Sequence, residues 1–63
     1  MSLGARIKRR REGVQLTQDQ LGEAIGVSRQ HISMWERDVV TPSIQNIKKI
    51  AKALDFEVGA LIK

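Results

Sequence analysis

Residues 18–36 read QDQLGEAIGVSRQHISMWE, and this stretch decides the fold of the chain. Its first half follows a good N-cap, Thr17, and therefore predicts a helix at residues 18–25. Gly26 comes next and is typical of a helix end, because glycine enters the left-handed backbone region without a Cβ clash. The apolar residues that recur at helical spacing in this half are Leu21, Ala24 and Ile25.

The second half of the stretch predicts another helix, at residues 29–36. Ser28 is its N-cap, and Ile32 and Trp35 form its inward stripe. Two helices joined by so short a turn cross at a steep angle and need a small residue where they meet. Gly22 supplies that residue, although glycine inside a helix costs roughly 1 kcal/mol relative to alanine.

A basic helix is predicted before this stretch, at about residues 3–12. Gly13 is expected to end it, because glycine is a weak helix former that favours turns. Val14 and Leu16 are then expected to pack as the chain turns towards the second helix.

Two helices are predicted after the stretch, at about residues 44–54 and 57–62, and the five helices together form a single domain spanning residues 1–63. Pro42 and Ser43 open the fourth helix, with Ser43 as its cap. Val39 and Val40 stand in the preceding loop, either covering the core edge or contributing to a dimer contact. The residues expected to face the core are Ile44, Ile47, Ile50, Ala51 and Leu54 in the fourth helix, and Val58, Leu61 and Ile62 in the fifth.

Two charged residues of opposite sign fall on stripes that face the core. Leu3 and Ile7 define the inward stripe of the first helix, and its next position is Arg11. Four residues after Ile32, the inward stripe of the third helix reaches Glu36. An unpaired buried charge is costly, so the sequence predicts an Arg11–Glu36 ion pair that ties the first helix to the third.

The net charge of the 63 residues is +4, and its distribution points to a partner rich in phosphate. Residues 1–12 hold five cationic side chains and one carboxylate, so this segment carries the whole imbalance of charge.

The chain has no cysteine and no apolar run of membrane-spanning length, which suits a cytoplasmic protein. With one histidine, scattered carboxylates and no glycine-rich phosphate loop, we expect no enzymatic activity, cofactor or metal.

The spacing of Gln18, Gly22, Gly26 and Ile32 resembles the helix-turn-helix of the phage lambda-type repressor and Cro family. The flanks also fit: Arg11 precedes the motif, while Glu36 and the run Thr41-Pro42-Ser43 follow it. The resemblance covers nearly the whole chain. It implies an all-α fold, the five-helix lambda repressor-like DNA-binding domain.

The third helix is the candidate for reading DNA bases. With Ile32 and Trp35 inward, its opposite face can enter the major groove, where base edges present distinguishable donors and acceptors. Arg29 can donate two hydrogen bonds to guanine, and Gln30 can bridge the N6 and N7 of adenine. The resemblance matches Arg29, Gln30 and Met34 to base-reading positions; the full set of candidates is Ser28, Arg29, Gln30, Ser33 and Met34.

A second group of residues is expected to contact phosphates, which sets register and gives salt-dependent affinity. Gln18 lies at a helix N-terminus, where free N–H groups attract anions. The resemblance further implies that this glutamine braces a base-reading side chain. The phosphate candidates are Gln18, Arg10, Arg11, Arg37, Ser43 and Asn46.

The expected function is sequence-specific binding of double-stranded DNA by a transcriptional regulator, a repressor, acting on a palindromic operator. A weak homodimer, formed or strengthened on DNA, would place half-sites about 34–36 Å apart. Residues 56–62 are the place that the resemblance implies for the dimer contact. Two alternatives remain open: an antitoxin-type or protein-interaction module with a protein partner, and a designed or hybrid member of the family without a defined operator.

Overall fold

The computed structural model of the chain describes residues 2–59, and the regular elements within that range are helices. Residues 58 and 59 begin the predicted fifth helix; the rest of it, with Leu61 and Ile62, lies outside the described residues. The predicted bounds of the other helices agree with the observed ones to within one residue. The observed helices are α1 (Leu3–Gly13), α2 (Gln18–Ile25), α3 (Arg29–Glu36) and α4 (Ile44–Ala53).

A hydroxyl side chain starts each of these helices by accepting a hydrogen bond from a first-turn N–H group. The caps predicted at Thr17, Ser28 and Ser43 are present, and Ser2 caps α1 in the same way. At α2 the Gln20 side chain returns a hydrogen bond to the N–H of Thr17, which completes a capping box. The helix starts are therefore encoded locally.

The helix ends follow a shared pattern that the sequence only partly reveals. Gly26 ends α2 with a φ of +78°, as predicted. The other three helices are each followed, two residues after their last residue, by a residue other than glycine with φ near +60°. These residues are Gln15, Asp38 and Asp55. A backbone hydrogen bond closes each of these three turns. Its donor is the N–H group of the residue after the left-handed one, and its acceptor is the carbonyl five residues before the donor.

Helix α1 ends at Gly13, as predicted, but Gly13 does not make the turn that follows. Gly13 is the last helical residue, Val14 is the C-cap, and Gln15 takes the left-handed conformation. This turn leaves Val14 exposed by 47%, whereas Leu16 packs against the core. The expected packing of Val14 is therefore wrong, and that of Leu16 is confirmed.

Gly22 is required by the contact between α2 and the start of α3. A Cβ atom added to Gly22 would lie 2.6 Å from the carbonyl oxygen of Val27, which is backbone and cannot move aside cheaply. The prediction of a small residue at the helix crossing is confirmed.

One apolar core joins the four helices, with α3 packed on both α1 and α2, and α4 packed on α2. Ile44 is a correction: it occupies the first turn of α4, at the rim of the core, and is 57% exposed. Ala24 is also exposed, and Val39 and Val40 do not cover the core edge, since both are exposed. The buried apolar residues are Ile7, Leu21, Ile25, Ile32, Trp35, Ile47, Ile50, Ala51 and Leu54.

None of the helices within residues 2–59 has the length and apolar composition of a membrane span.

Gly22→Ala and Gly13→Ala form a matched pair that tests the crossing. Gly22→Ala should lower the free energy of unfolding by about 1–3 kcal/mol, because the new methyl group meets backbone. Gly13→Ala should raise it by about 0.4–1 kcal/mol, since nothing lies within 4 Å of the added Cβ and alanine favours the helix. Urea unfolding measures both; equal effects would contradict the account of the crossing.

Candidate nucleic-acid interface

The outward face of α3 carries the predicted base-reading residues. Ile32 and Trp35 are buried, so the opposite side of the helix faces outward. Arg29 and Gln30 are exposed in its first turn, directly after the exposed cap Ser28. Ser33 and Met34, one turn further on, are half-buried. The structure thus brings the five predicted base-reading residues onto one short helix and its cap.

The predicted ion pair between Arg11 and Glu36 is present and holds α3 against α1. The Arg11 Nε donates to one Glu36 carboxylate oxygen at 2.5 Å, and a terminal nitrogen donates to the other at 3.1 Å. The second terminal nitrogen donates to the carbonyl oxygen of Leu16 at 2.7 Å. The Glu36 side chain is only 2% exposed. The hydrogen bond with Glu36 raises the pKa of Arg11, against the opposing effect of burial, so the guanidinium stays charged.

Arg11 is also a phosphate candidate, and the ion pair restricts how it could reach a phosphate. All three guanidinium nitrogens already donate within the protein, and Arg11 is 8% exposed. Arg11 therefore has a structural role, and Arg10 is the more exposed of the two phosphate candidates on α1.

Gln18 joins the same cluster from the start of α2. Its side-chain Nε2 donates to Glu36 Oε1 at 3.0 Å, so one carboxylate links α1, α2 and α3. This hydrogen bond holds the half-buried Gln18 amide in place. In the first turn of a helix the backbone N–H groups lack partners within the helix, and those of Gln18 and Asp19 remain suited to an anion.

The remaining phosphate candidates lie at helix ends. Arg10 is exposed at the end of α1 and lies over the ring of Phe56, with its Cζ atom 5.1 Å from the ring centre. Arg37 follows α3, and its Nε donates to the Ser33 hydroxyl at 3.2 Å.

Ser43 and Asn46 both belong to the start of α4. The Ser43 hydroxyl accepts the N–H of Asn46 at 3.2 Å. Ser43 is exposed and Asn46 is half-buried. This first turn is a second helix N-terminus with groups of the kind that bind an anion.

His31 was not among the predicted contact residues. Its Nδ1 lies 2.7 Å from the Ser28 hydroxyl, and its ring centre lies 6.2 Å from that of Trp35. The sequence does contain a signal for this contact. His31 lies three residues after the cap Ser28, and the hydroxyl of a serine cap faces the residue at that position.

A contact between the start of α1 and the loop after α3 was also missed. The N–H of Gly4 donates to the Asp38 carboxylate at 3.0 Å, between residues 34 positions apart. Gly4 lies on the buried face of α1 with Ile7 and Arg11, but nothing in the sequence marks Asp38 as its partner.

Comparison with known proteins gives relatives over nearly the whole chain. A profile of the helix-turn-helix family matches residues 7–61. Repressor protein C2 of Salmonella phage P22 is 38% identical over 97% of this chain and 28% of that protein. The immunity repressor protein of Bacillus phage phi105 is 39% identical over 98% of this chain and 43% of that protein. The chain thus spans less than half the length of these curated relatives.

Solved structures share the fold. The crystal structure of the P22 c2 repressor with a synthetic operator has a TM-score of 0.94 at 36% identity, covering 100% of this chain and 96% of that one. The regulator SinR, crystallised with DNA, has a TM-score of 0.91 at 35% identity, covering 97% of this chain and 98% of that one. SinR in complex with SinI gives the same score over 60% of that chain. The predicted all-α fold is confirmed.

Arg11→Met tests the ion pair. It leaves the buried Glu36 carboxylate without its cation, so the free energy of unfolding should fall by about 3–5 kcal/mol. Arg9→Met makes the same change at an exposed position of the same helix and should stay within about 0.5 kcal/mol. The double variant Arg11→Met/Glu36→Leu should recover most of the loss. Thermal unfolding measures all three, and equal losses in the two single variants would refute a buried pair.

Proposed function

Because this chain belongs to the helix-turn-helix family, in its lambda repressor-like branch, we propose that it binds double-stranded DNA sequence-specifically and regulates transcription as a repressor. The observation that carries the proposal is the outward face of α3, whose first turn exposes Arg29 and Gln30 while Ile32 and Trp35 anchor the helix in the core. This function implies a location on the cell's DNA, in the cytoplasm.

Base reading is assigned to the first turn of α3. Arg29 suits guanine, because its guanidinium can donate to O6 and N7 together. Gln30 suits adenine, because its amide can both donate and accept. Met34 supplies an apolar contact for a thymine methyl group. Ser33 is positioned by Arg37, and Ser28 by its cap bonds, so both can offer a hydroxyl from a fixed place.

Phosphate contact is assigned to the helix N-termini and to two arginines. The N-terminal turns of α2 and α4, at Gln18 and at Ser43 and Asn46, offer backbone N–H groups to the DNA backbone. Arg37 and Arg10 add exposed positive charge. These contacts fix the position of α3 along the DNA. They also make the affinity for DNA fall as the salt concentration rises.

Two copies of the chain are proposed to bind one operator. A domain measuring 25 × 24 × 20 Å matches one half-site, since successive half-sites lie about 34–36 Å apart along B-DNA. The dimer is weak and is formed or strengthened on DNA. A palindromic operator follows from the two-fold symmetry of such a dimer.

A protein partner is the second candidate. SinR, a structural relative, is known in complex with the protein SinI. Val39, 61% exposed, and Val40, 45% exposed, lie beside α3 and offer apolar surface to a partner. Binding of a protein partner is compatible with DNA binding. It becomes the proposed function only if the chain does not bind DNA.

Selection of bound sequences from a random pool of duplexes, repeated at two salt concentrations, tests the proposal. We expect enrichment of a palindromic site at both concentrations, with weaker binding at the higher one. Absence of enrichment would leave the protein-interaction function.

Two arginine variants separate base reading from phosphate contact. Arg29→Ala should relax preference at one base pair of each half-site, by about 1–3 kcal/mol. Arg10→Ala should weaken binding to all sequences alike and should reduce the number of counterions released on binding by about one. Competition binding with single-base variants of the selected site measures both effects; the same profile for the two variants would contradict the assignment.

A further inference from the structure

The start of α1 is attached to the chain segment that follows α3. Gly4 lies in the first turn of α1, where N–H groups have no partner within the helix. Its N–H donates to a carboxylate oxygen of Asp38 at 3.0 Å. Asp38 comes two residues after the end of α3. The contact therefore joins the amino end of one helix to the carboxyl end of the other.

This contact is close enough to require glycine. A Cβ atom on Gly4 would lie 2.4 Å from the carbonyl oxygen of Trp35 and 2.6 Å from that of Glu36. It would also lie 2.8 Å from the Asp38 carboxylate oxygen. The backbone of α1 thus rests directly on the last turn of α3, with no side chain between them.

Asp38 sits in a backbone conformation that glycine would adopt more easily. Its φ is +60°, in the left-handed region. Asp55 occupies the same place after α4, with a φ of +58°. The turns are closed alike, by Val39 N–H to Met34 O and by Phe56 N–H to Ala51 O, both at 3.0 Å. Within the described range, only the first of these two aspartates receives a hydrogen bond from another helix.

From this geometry we infer that Asp38 is a positioning residue for the base-reading helix. Along α1, Gly4 and Arg11 lie seven residues apart, which corresponds to about 10 Å. Arg11 holds the Glu36 side chain, while Gly4 holds the backbone and the Asp38 carboxylate just beyond it. Both attachments act on the carboxyl end of α3, whose core-facing side is already set by Ile32 and Trp35. The two together fix the angle at which α3 presents its reading face. This inference rests on the proposed function.

Asp38→Gly tests the inference, with Asp55→Gly as its matched control. Both changes relieve the same left-handed conformation, but only Asp38→Gly removes the bond to Gly4. The measured quantity is the ratio of affinities for the selected operator and a scrambled duplex of equal length. It is measured at one salt concentration, at a temperature where every variant is folded. A purely structural role changes stability and leaves this ratio unaltered.

We expect Asp38→Gly to lower the ratio about three- to tenfold, the size of effect that a lost helix-capping bond can have. Asp55→Gly should leave it unchanged. Asp38→Asn should keep most of the ratio, because the amide oxygen can accept the same hydrogen bond and asparagine tolerates the left-handed region. Amide exchange at Gly4 should accelerate in Asp38→Gly and stay slow in Asp55→Gly.

Two results would overturn the inference in different ways. If the wild-type chain enriches an operator and Asp38→Gly keeps its ratio while Gly4 exchange accelerates, the contact exists but does not position α3. If the wild-type ratio is one, the proposed function itself fails, and the inference fails with it.

Discussion

The Glu36 carboxylate is the group on which the arrangement of the first three helices depends. It accepts hydrogen bonds from Arg11 on α1 and from Gln18 on α2, and Glu36 is the last residue of α3. A carboxylate that is 2% exposed is stable only while these donors surround it, because the interior solvates charge poorly. The orientation of three helices is therefore coupled to the satisfaction of one buried charge.

This constraint has a direct consequence for the outward face of α3. The apolar stripe of Ile32 and Trp35 fixes which side of the helix is buried, and Gly22 allows α2 to approach closely enough for the crossing. Glu36 and the Gly4–Asp38 contact fix the other end. The first turn of α3 then projects outward, with its start packed against Gly22 in the middle of α2. Under the proposed function, different groups of one rigid unit contact the base edges and the phosphates.

Much of this could be predicted from the sequence, because its signals are local. Caps, apolar stripes and the two charges that interrupt those stripes are visible in the order of residues, and they gave the helices and the Arg11–Glu36 pair. The errors arose where tertiary packing decides. Gln15, and not Gly13, makes the left-handed turn after α1. Ile44 continues a stripe beyond the edge of the core, and the Gly4–Asp38 contact joins segments that nothing local connects.

A comparison of amide chemical shifts on two duplexes tests most directly whether this rigid unit reads DNA through α3. The full chain is titrated with the selected operator and with a scrambled duplex of equal length at the same salt concentration. The account predicts that shifts differing between the duplexes centre on residues 28–34, whereas the N-terminal turns of α2 and α4 respond to both. Duplex-dependent shifts confined to other parts of the chain, with residues 28–34 unmoved, would contradict it.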